Sequence, residues 1–471
     1  MQRIKTDICV IGAGSGGLSV AAGAAQMGAR VVLIEGDRMG GDCLNHGCVP
    51  SKALLASGKA AAAHRRGFAG IAAQEPTVDF AAAKDHVAQV IAAIAPHDSQ
   101  ERFEGLGVEV IRDWAEFTGP REVRAGKTLI RARRIVIATG SRPVIPPIPG
   151  LDTVPCLTNE TIFDLREPPG HLLIVGGGPI GLEMAQAHRR LGCKVTVIEG
   201  AAALGREDPE AAALVLARLR AEGIEIVEQA QVERIGGRAG AIEVQVAGGT
   251  VMMGTHLLMA VGRRPALDRL KPDVAGVRIE KGAVAVDDRL RSSNRRVYAI
   301  GDAAGRGQFT HLAGYQAGVV IRSLLFALPA RVRADHIPRV TYTDPELAQI
   351  GLTEAEARHD HGAELMVFRQ GYGDNDRARA EGHTEGFIKL MVVKGRPVGV
   401  TIAGPQAGEM LAPWSVALAN RLKLGAIAAA VFPYPTMGEL SKRVAGAYFT
   451  PKLFDNALVK RVVRTVQALV P

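Results

Sequence analysis

One pattern occurs twice in this chain, at one spacing. Residues 7–35 read Asp-Ile-Cys-Val-Ile-Gly12-Ala-Gly14-Ser-Gly-Gly17, then an alanine-rich run, then Arg-Val-Val-Leu-Ile-Glu35. Residues 172–199 read Leu-Leu-Ile-Val-Gly176-Gly-Gly178-Pro-Ile-Gly181, a second helical run, then Lys-Val-Thr-Val-Ile-Glu199. Gly12 precedes Glu35 by 23 positions, and Gly176 precedes Glu199 by the same 23. Each stretch is an apolar strand, a glycine turn, a helix and a second strand that ends in an acid. The glycines permit the tight turn and let a pyrophosphate approach the helix N-terminus, and the acid reaches a ribose hydroxyl. A lone glycine motif is weak evidence. Two of them, each between strand and helix with the acid in place, predict two dinucleotide-binding units and two dinucleotides, one readable as a bound flavin and the other as a diffusible nicotinamide.

Length and composition set the frame around these units. At 471 residues the chain has room for about three domains of ~150 residues. No run of about 18 apolar residues predicts a membrane span. The chain enters an apolar strand at once without a cationic leader, so a cytoplasmic location is expected. Five cysteines (9, 43, 48, 156 and 193) are too scattered for a secreted disulfide scaffold, and their spacing gives no zinc site. The net charge is +9, yet no basic run with interleaved aromatics suggests nucleic acid. Anionic cofactors or a generally basic surface account for the charge more simply.

Between the two units lies Gly40-Gly41-Asp-Cys43-Leu-Asn-His46-Gly-Cys48-Val-Pro-Ser-Lys52-Ala-Leu-Leu. On an ideal helix five positions turn the second cysteine well away from the first. Gly47 and Pro50 predict a distorted turn that brings the sulfurs together, with a helix beginning near Pro50. A cysteine just before a helix N-terminus feels the positive end of the dipole, which favours thiolate. In a reducing compartment such a pair is more readily a working redox couple than a staple, although buried structural cysteines fit the spacing alone. Further on, Ile135-Val-Ile-Ala-Thr139-Gly140-Ser-Arg-Pro143, Leu258-Met-Ala-Val-Gly262-Arg-Arg-Pro265 and Val297-Tyr-Ala-Ile-Gly301-Asp302 read as strands with closing turns. At Pro338 the character changes to Pro-Arg-Val-Thr-Tyr-Thr-Asp344-Pro345-Glu346.

In this order the motifs resemble the flavin-dependent pyridine nucleotide–disulfide oxidoreductases, among them lipoamide dehydrogenase, glutathione reductase and mercuric reductase, from Asp7 to about residue 450. The resemblance implies an α/β chain of the glutathione reductase type, with two Rossmann-like dinucleotide-binding domains and a C-terminal α+β dimerisation domain. The expected divisions are 1–147 for FAD and the redox cysteines, 148–270 for NAD(P), 271–334 for the second part of the FAD domain, and 335–471 for the interface. It implies that Gly12, Gly14, Gly17, Glu35, Gly41, Lys52, Thr139, Gly140, Asp302 and Ala313 hold FAD. Gly176, Gly178, Gly181, Glu199 and Gly262 would hold the nicotinamide nucleotide. Cys48 would lie nearer the flavin and Cys43 would exchange with substrate, with Lys52 near flavin N5 and Glu183 paired to it. Leu312-Ala313 would begin a helix directed at the flavin pyrimidine. Glu199 favours NADH over NADPH, because a carboxylate repels a 2′-phosphate, with Arg206 as a possible offset.

One departure concerns the segment that completes the partner's site in a homodimer. The family's His-x-His-Pro-Thr is here Phe432-Pro-Tyr434-Pro-Thr436, followed by Glu439. Tyrosine, with an ordinary pKa near 10, is a poor base at neutral pH but can donate a hydrogen bond or a proton. Mercuric reductases resemble the chain here, but no cysteine follows Cys193, whereas those enzymes carry a C-terminal pair. His46, between the cysteines, reads as a solvated loop histidine or a group that tunes the thiolate. The expected activity is therefore NAD(P)H oxidation with electrons passing through Cys48 and Cys43 to a metal ion, a quinone or an unidentified disulfide. Dihydrolipoamide dehydrogenase and a non-catalytic flavoprotein redox sensor are the alternatives. Residues 440–471 read as an amphipathic helix packed on the dimer, with a peripheral membrane contact the less favoured reading.

Overall fold

In the computed structural model, which describes residues 2–470, the first strand β1 (Gln2–Ile11) buries its last four residues completely. That full burial fits a central parallel strand, covered on both faces. β1 pairs in parallel with β2 (Val31–Ile34) on one side and with β6 (Thr128–Ile137) on the other, and β2 pairs with β3 (Val108–Ile111). β4 (Ala115–Gly119) and β5 (Glu122–Ala125) continue the sheet antiparallel beyond β6, and Val297–Ala299 joins β6 in parallel at its far end. Helix α1 (Ser15–Gln26) crosses from β1 to β2, burying Leu18, Val20, Ala21 and Ala24. The second repeat builds a separate parallel sheet in the order Glu225–Val227, Lys194–Ile198, His171–Val175, His256–Met259.

Two short elements carry the cysteines: α2 (Gly41–Asn45) and α3 (Cys48–Arg66). α3 begins at Cys48, two residues before the expected start. Pro50 fits inside its first turn because the N–H it lacks would have no helical partner there. The helix expected from Leu312 likewise begins earlier, at Thr310, and runs to Phe326.

The chain divides into two units, one holding residues up to 201 and 224–333, the other 202–223 and 334–471. The second unit has a five-stranded antiparallel sheet in the order Arg339–Thr341, Glu346–Gly351, Arg396–Gly404, Phe387–Val393, Leu365–Gly371. Its core surrounds Trp414 and Tyr372, both fully buried, and Trp414 donates its indole N–H to Ser441 Oγ at 3.0 Å. The helix Pro209–Ala221, from the middle of the chain, belongs to this unit. Its N-cap Asp208 and first-turn Glu210 meet Lys389 Nζ at 2.9 and 3.0 Å, and Glu354 meets the same ammonium at 3.0 Å.

The C-terminal stretch is not one amphipathic helix. Glu439–Ala447 buries Leu440, Val444 and Ala445 in the core of its unit. After the short helix Thr450–Phe454, the chain re-enters a helix at Ala457–Leu469, capped by the Asn456 side chain and with no buried residue. The α/β class with an α+β C-terminal domain stands as the sequence predicts.

Candidate active site

The break between α2 and α3 brings the two cysteines together. A Cβ on Gly47 would stand 2.9 Å from an Asp42 carboxylate oxygen and 3.0 Å from the Asp42 carbonyl, so any side chain there would press on the turn. Cys43 and Cys48 are free thiols, hydrogen-bonded to one another, and Cys48 Sγ lies 3.5 Å from Thr310 Oγ1. The Cys43 hydrogen bond pulls the Cys48 thiol down to about 6, aided by the Thr310 hydroxyl and the Lys52 charge and opposed by burial. The same bond, together with burial, pushes Cys43 far up. The pair therefore holds one thiolate, on Cys48, and one proton, on Cys43.

Lys52, one turn into α3, donates to Glu183 Oε2 at 2.8 Å. Glu183 sits on the helix Pro179–Arg190 of the second dinucleotide unit, with its side chain 6% exposed. The two helices come close at Gly58, where a Cβ would stand 3.4 Å from Ala187 Cα. The resemblance implies this pairing, and the two side chains meet here.

Several residues that hold the loop escaped sequence reasoning. Asp42 Oδ1 accepts from Asn159 Nδ2 at 3.0 Å and from an Arg263 guanidinium N–H at 2.8 Å, and Asn159 also donates to the His46 carbonyl. Arg263 further donates to Ser141 Oγ and to the Ser141 carbonyl, and the Ser141 hydroxyl donates to Asp302. Burial raises the Asp302 carboxyl above its ordinary value. Arg263 lies in the Gly-Arg-Arg-Pro turn, so proximity to a motif was a signal. For Thr310 the only signal was its place just before the expected helix.

The two glycine turns are near-copies of each other. A Cβ on Gly12 would meet the Ala138 carbonyl at 2.3 Å, and one on Gly176 the Ala260 carbonyl at 2.4 Å. A Cβ on Gly17 would meet the Gly12 carbonyl at 1.9 Å, and one on Gly181 the Gly176 carbonyl at 2.0 Å. Glu35 accepts from the Ala13 N–H at 2.6 Å and Glu199 from the Gly177 N–H at 2.6 Å, so each acid first clasps its own turn. Gly12, Gly14, Glu35, Gly41, His46, Thr139 and Gly140 line one cleft of the first unit. In the second unit Tyr434 is exposed and donates to Asp376 at 3.0 Å, a bond that raises its pKa further. Glu439 opens its helix with one carboxylate oxygen buried and without a hydrogen-bond partner among the described residues.

Residues 6–317 match the model of the pyridine nucleotide-disulphide oxidoreductases, and residues 337–445 match that family's dimerisation domain. The chain belongs to this family. A mercuric reductase of Shigella flexneri is 34% identical over 94% of this chain and 80% of its own. A dihydrolipoyl dehydrogenase of Geobacillus stearothermophilus is 33% identical over 94% of this chain and 96% of its own. Among solved structures, the Cu(II) complex of the HOCl-induced flavoprotein disulfide reductase RclA from Escherichia coli superposes with a TM-score of 0.85. It has 29% identity and covers 94% of this chain and 99% of that one. The protein is thus a flavoprotein disulfide oxidoreductase with a dimerisation domain, of a family that uses FAD and NAD(P)H.

The residues present fit FAD. In the first unit the cleft runs along the glycine turn, and the Thr139 hydroxyl is buried there without a hydrogen-bond partner among the described residues. A Cβ on Gly14 would meet nothing closer than 3.9 Å, which leaves room for a phosphate at the N-terminus of α1. In the second dinucleotide-binding motif a Cβ on Gly178, at the matching helix start, would meet nothing within 4 Å.

Proposed function

We propose that this protein oxidises a nicotinamide dinucleotide, NADH in preference to NADPH, and delivers the electron pair through Cys48 and Cys43 to a metal ion. The observation that carries this reading is the proton arrangement. Tyr434, at the position of the family's base, holds its own proton in a hydrogen bond to the Asp376 carboxylate, so the chain offers a poor relay for thiol–disulfide exchange with an organic disulfide. A metal ion takes electrons from thiolates without needing that relay. The names of the relatives, a mercuric reductase and a Cu(II) complex, agree with a soft, reducible cation.

Residues 1–147 and 271–334 would hold FAD, with Gly12, Gly14 and Gly17 at the pyrophosphate and Glu35 and Asp302 on the ribose and ribityl hydroxyls. Residues 148–270 would hold the nicotinamide nucleotide through Gly176, Gly178 and Gly181, and 335–471 would form the dimer. FAD supplies two-electron transfer between nicotinamide and dithiol when bound. Lys52, balanced by Glu183, places a positive charge beside the Cys48 thiolate. Cys43 keeps its proton until the acceptor binds. The dithiol then gives two electrons to one Hg(II) or one electron to each of two Cu(II) ions, the Cys43–Cys48 bond closes, and the thiol proton leaves to solvent. Glu199 supports NADH, because its carboxylate stands at the glycine turn where a 2′-phosphate would be repelled.

The test is anaerobic stopped-flow of the oxidised protein with dihydrolipoamide, beside NADH oxidation with Cu(II) or Hg(II) as acceptor. The expected result is slow flavin reduction by dihydrolipoamide and metal-dependent NADH oxidation that Cys43→Ser reduces at least 100-fold. Rapid reduction by dihydrolipoamide would move the assignment to dihydrolipoamide dehydrogenase. Full turnover in Cys43→Ser would remove the dithiol from the route.

A further inference from the structure

The helix Ala457–Leu469 lies beyond the dimerisation-domain match, which ends at residue 445, and it contributes nothing to the core of its unit. At 100° per residue, Leu458, Val459, Val462, Val463, Val466 and Leu469 form one continuous apolar arc of roughly 140°. Lys460, Arg461 and Arg464 fall together on the opposite side. Five of the six arc residues are 45% to 76% exposed and Val459 is half-buried, while the preceding Leu453 and Phe454 are 50% and 65% exposed. In water such a surface carries a hydrophobic cost that a globular chain ordinarily removes by packing.

Charge decides what can cover it. Residues 456–470 contain three cations and no Asp or Glu, in a chain of net charge +9. A helix that pairs with a second copy ordinarily flanks its apolar seam with charges of both signs, so that facing copies attract. This helix carries no acidic residue, so a second copy of it would offer its cations no partner. An apolar arc opposed by a purely cationic face instead suits the boundary between headgroups and acyl chains of an anionic bilayer. The helix is too short and too charged to cross one, and no helix among the described residues is long and apolar enough to do so.

We propose that Ala457–Leu469 docks this enzyme on an anionic lipid surface, with the Leu/Val arc entering the acyl boundary and Lys460, Arg461 and Arg464 meeting the headgroups. Asn456 fixes the start of the helix by accepting from the N–H groups of Leu458 and Val459 at 2.9 and 3.2 Å, so the arc is formed before contact.

The test uses the full-length, FAD-loaded protein and two sets of vesicles, phosphatidylcholine alone and phosphatidylcholine with 30% phosphatidylglycerol. Co-sedimentation with the anionic vesicles is expected to exceed that with neutral ones at least tenfold and to fall in high salt. Val462→Asp/Val466→Asp and Lys460→Glu/Arg464→Glu are each expected to return the protein to the supernatant, with flavin content and NADH-dependent flavin reduction unchanged. Wild-type protein that stays in the supernatant with both vesicles would overturn the proposal. So would a Val462→Asp/Val466→Asp variant whose mass in solution falls, since the arc would then be an interface between copies.

Discussion

Cys48 is the residue whose chemistry depends most on its neighbours. Its thiol is drawn to about 6 from an ordinary 9.0, first by the Cys43 hydrogen bond and then by Thr310 and Lys52. In the reduced enzyme, iodoacetamide should therefore modify Cys48 with a rate that rises through pH 6 and is nearly flat above pH 7. Cys43→Ala should move that midpoint up by at least one unit, and Lys52→Met by less, because the hydrogen bond is the larger influence. A rate that rises only above pH 8 in the wild type would contradict this account. The stability consequence has a definite sign. A depressed folded pKa adds stability that is complete above the ordinary thiol value and is lost as pH falls through about 6. Reduced wild-type protein should thus lose more of its melting temperature between pH 8 and pH 5.5 than Cys48→Ser, which has no such thiolate.

At the scale of elements, glycines decide where helices may begin and how closely turns approach. Gly47 separates α2 from α3, and an added Cβ there would press on the Asp42 carboxylate and carbonyl. Gly47→Ala should open the loop, separate the two sulfurs and slow reoxidation of the pair, as read by thiol titration after mixing with a mild oxidant. Gly17→Ala meets the Gly12 carbonyl at 1.9 Å and cannot be accommodated without moving the first turn. It should purify with far less flavin, read as the ratio of flavin to protein absorbance. Overpacking of this kind costs about 1–3 kcal/mol where the neighbours are rigid, so a melting temperature lowered by a few degrees is also expected.

At the scale of the whole molecule, a buried ion cluster ties a mid-chain helix to the C-terminal unit. The Lys389 side chain is 7% exposed and meets Asp208, Glu210 and Glu354. Removing a buried cation leaves its carboxylates uncompensated, at a cost of ~3–5 kcal/mol. Lys389→Met should therefore be strongly destabilised at pH 7, and the deficit should shrink as falling pH protonates Glu354, whose carboxyl, despite its burial, is held below its ordinary value by the hydrogen bonds and charges of Lys389 and Arg358. A deficit independent of pH in thermal unfolding would mean that lost packing is the cause. The dimerisation domain also implies that sedimentation will give twice the 49.7 kDa chain mass.

The sequence alone determined what depends on local pattern. Both dinucleotide units were legible because strand, glycine turn, helix and acid follow one another within 23 positions, and each step has a backbone or charge requirement. The cysteine pair and its turn were legible for the same reason. The pairing of Lys52 with Glu183 came from the resemblance and stands at 2.8 Å. What the tertiary structure decided involves partners far apart in the chain. Thr310 reaches Cys48 across 262 positions, and Arg263 reaches Asp42 across 221. The helix Pro209–Ala221 joins the C-terminal unit through Lys389, although it follows the second glycine unit in sequence. The tail's division into a buried helix and an exposed one was also invisible, because amphipathic periodicity marks an apolar face but not what covers it. Local pattern fixes an element; its partners come from the burial of distant surfaces against one another, which leaves no fixed spacing to read.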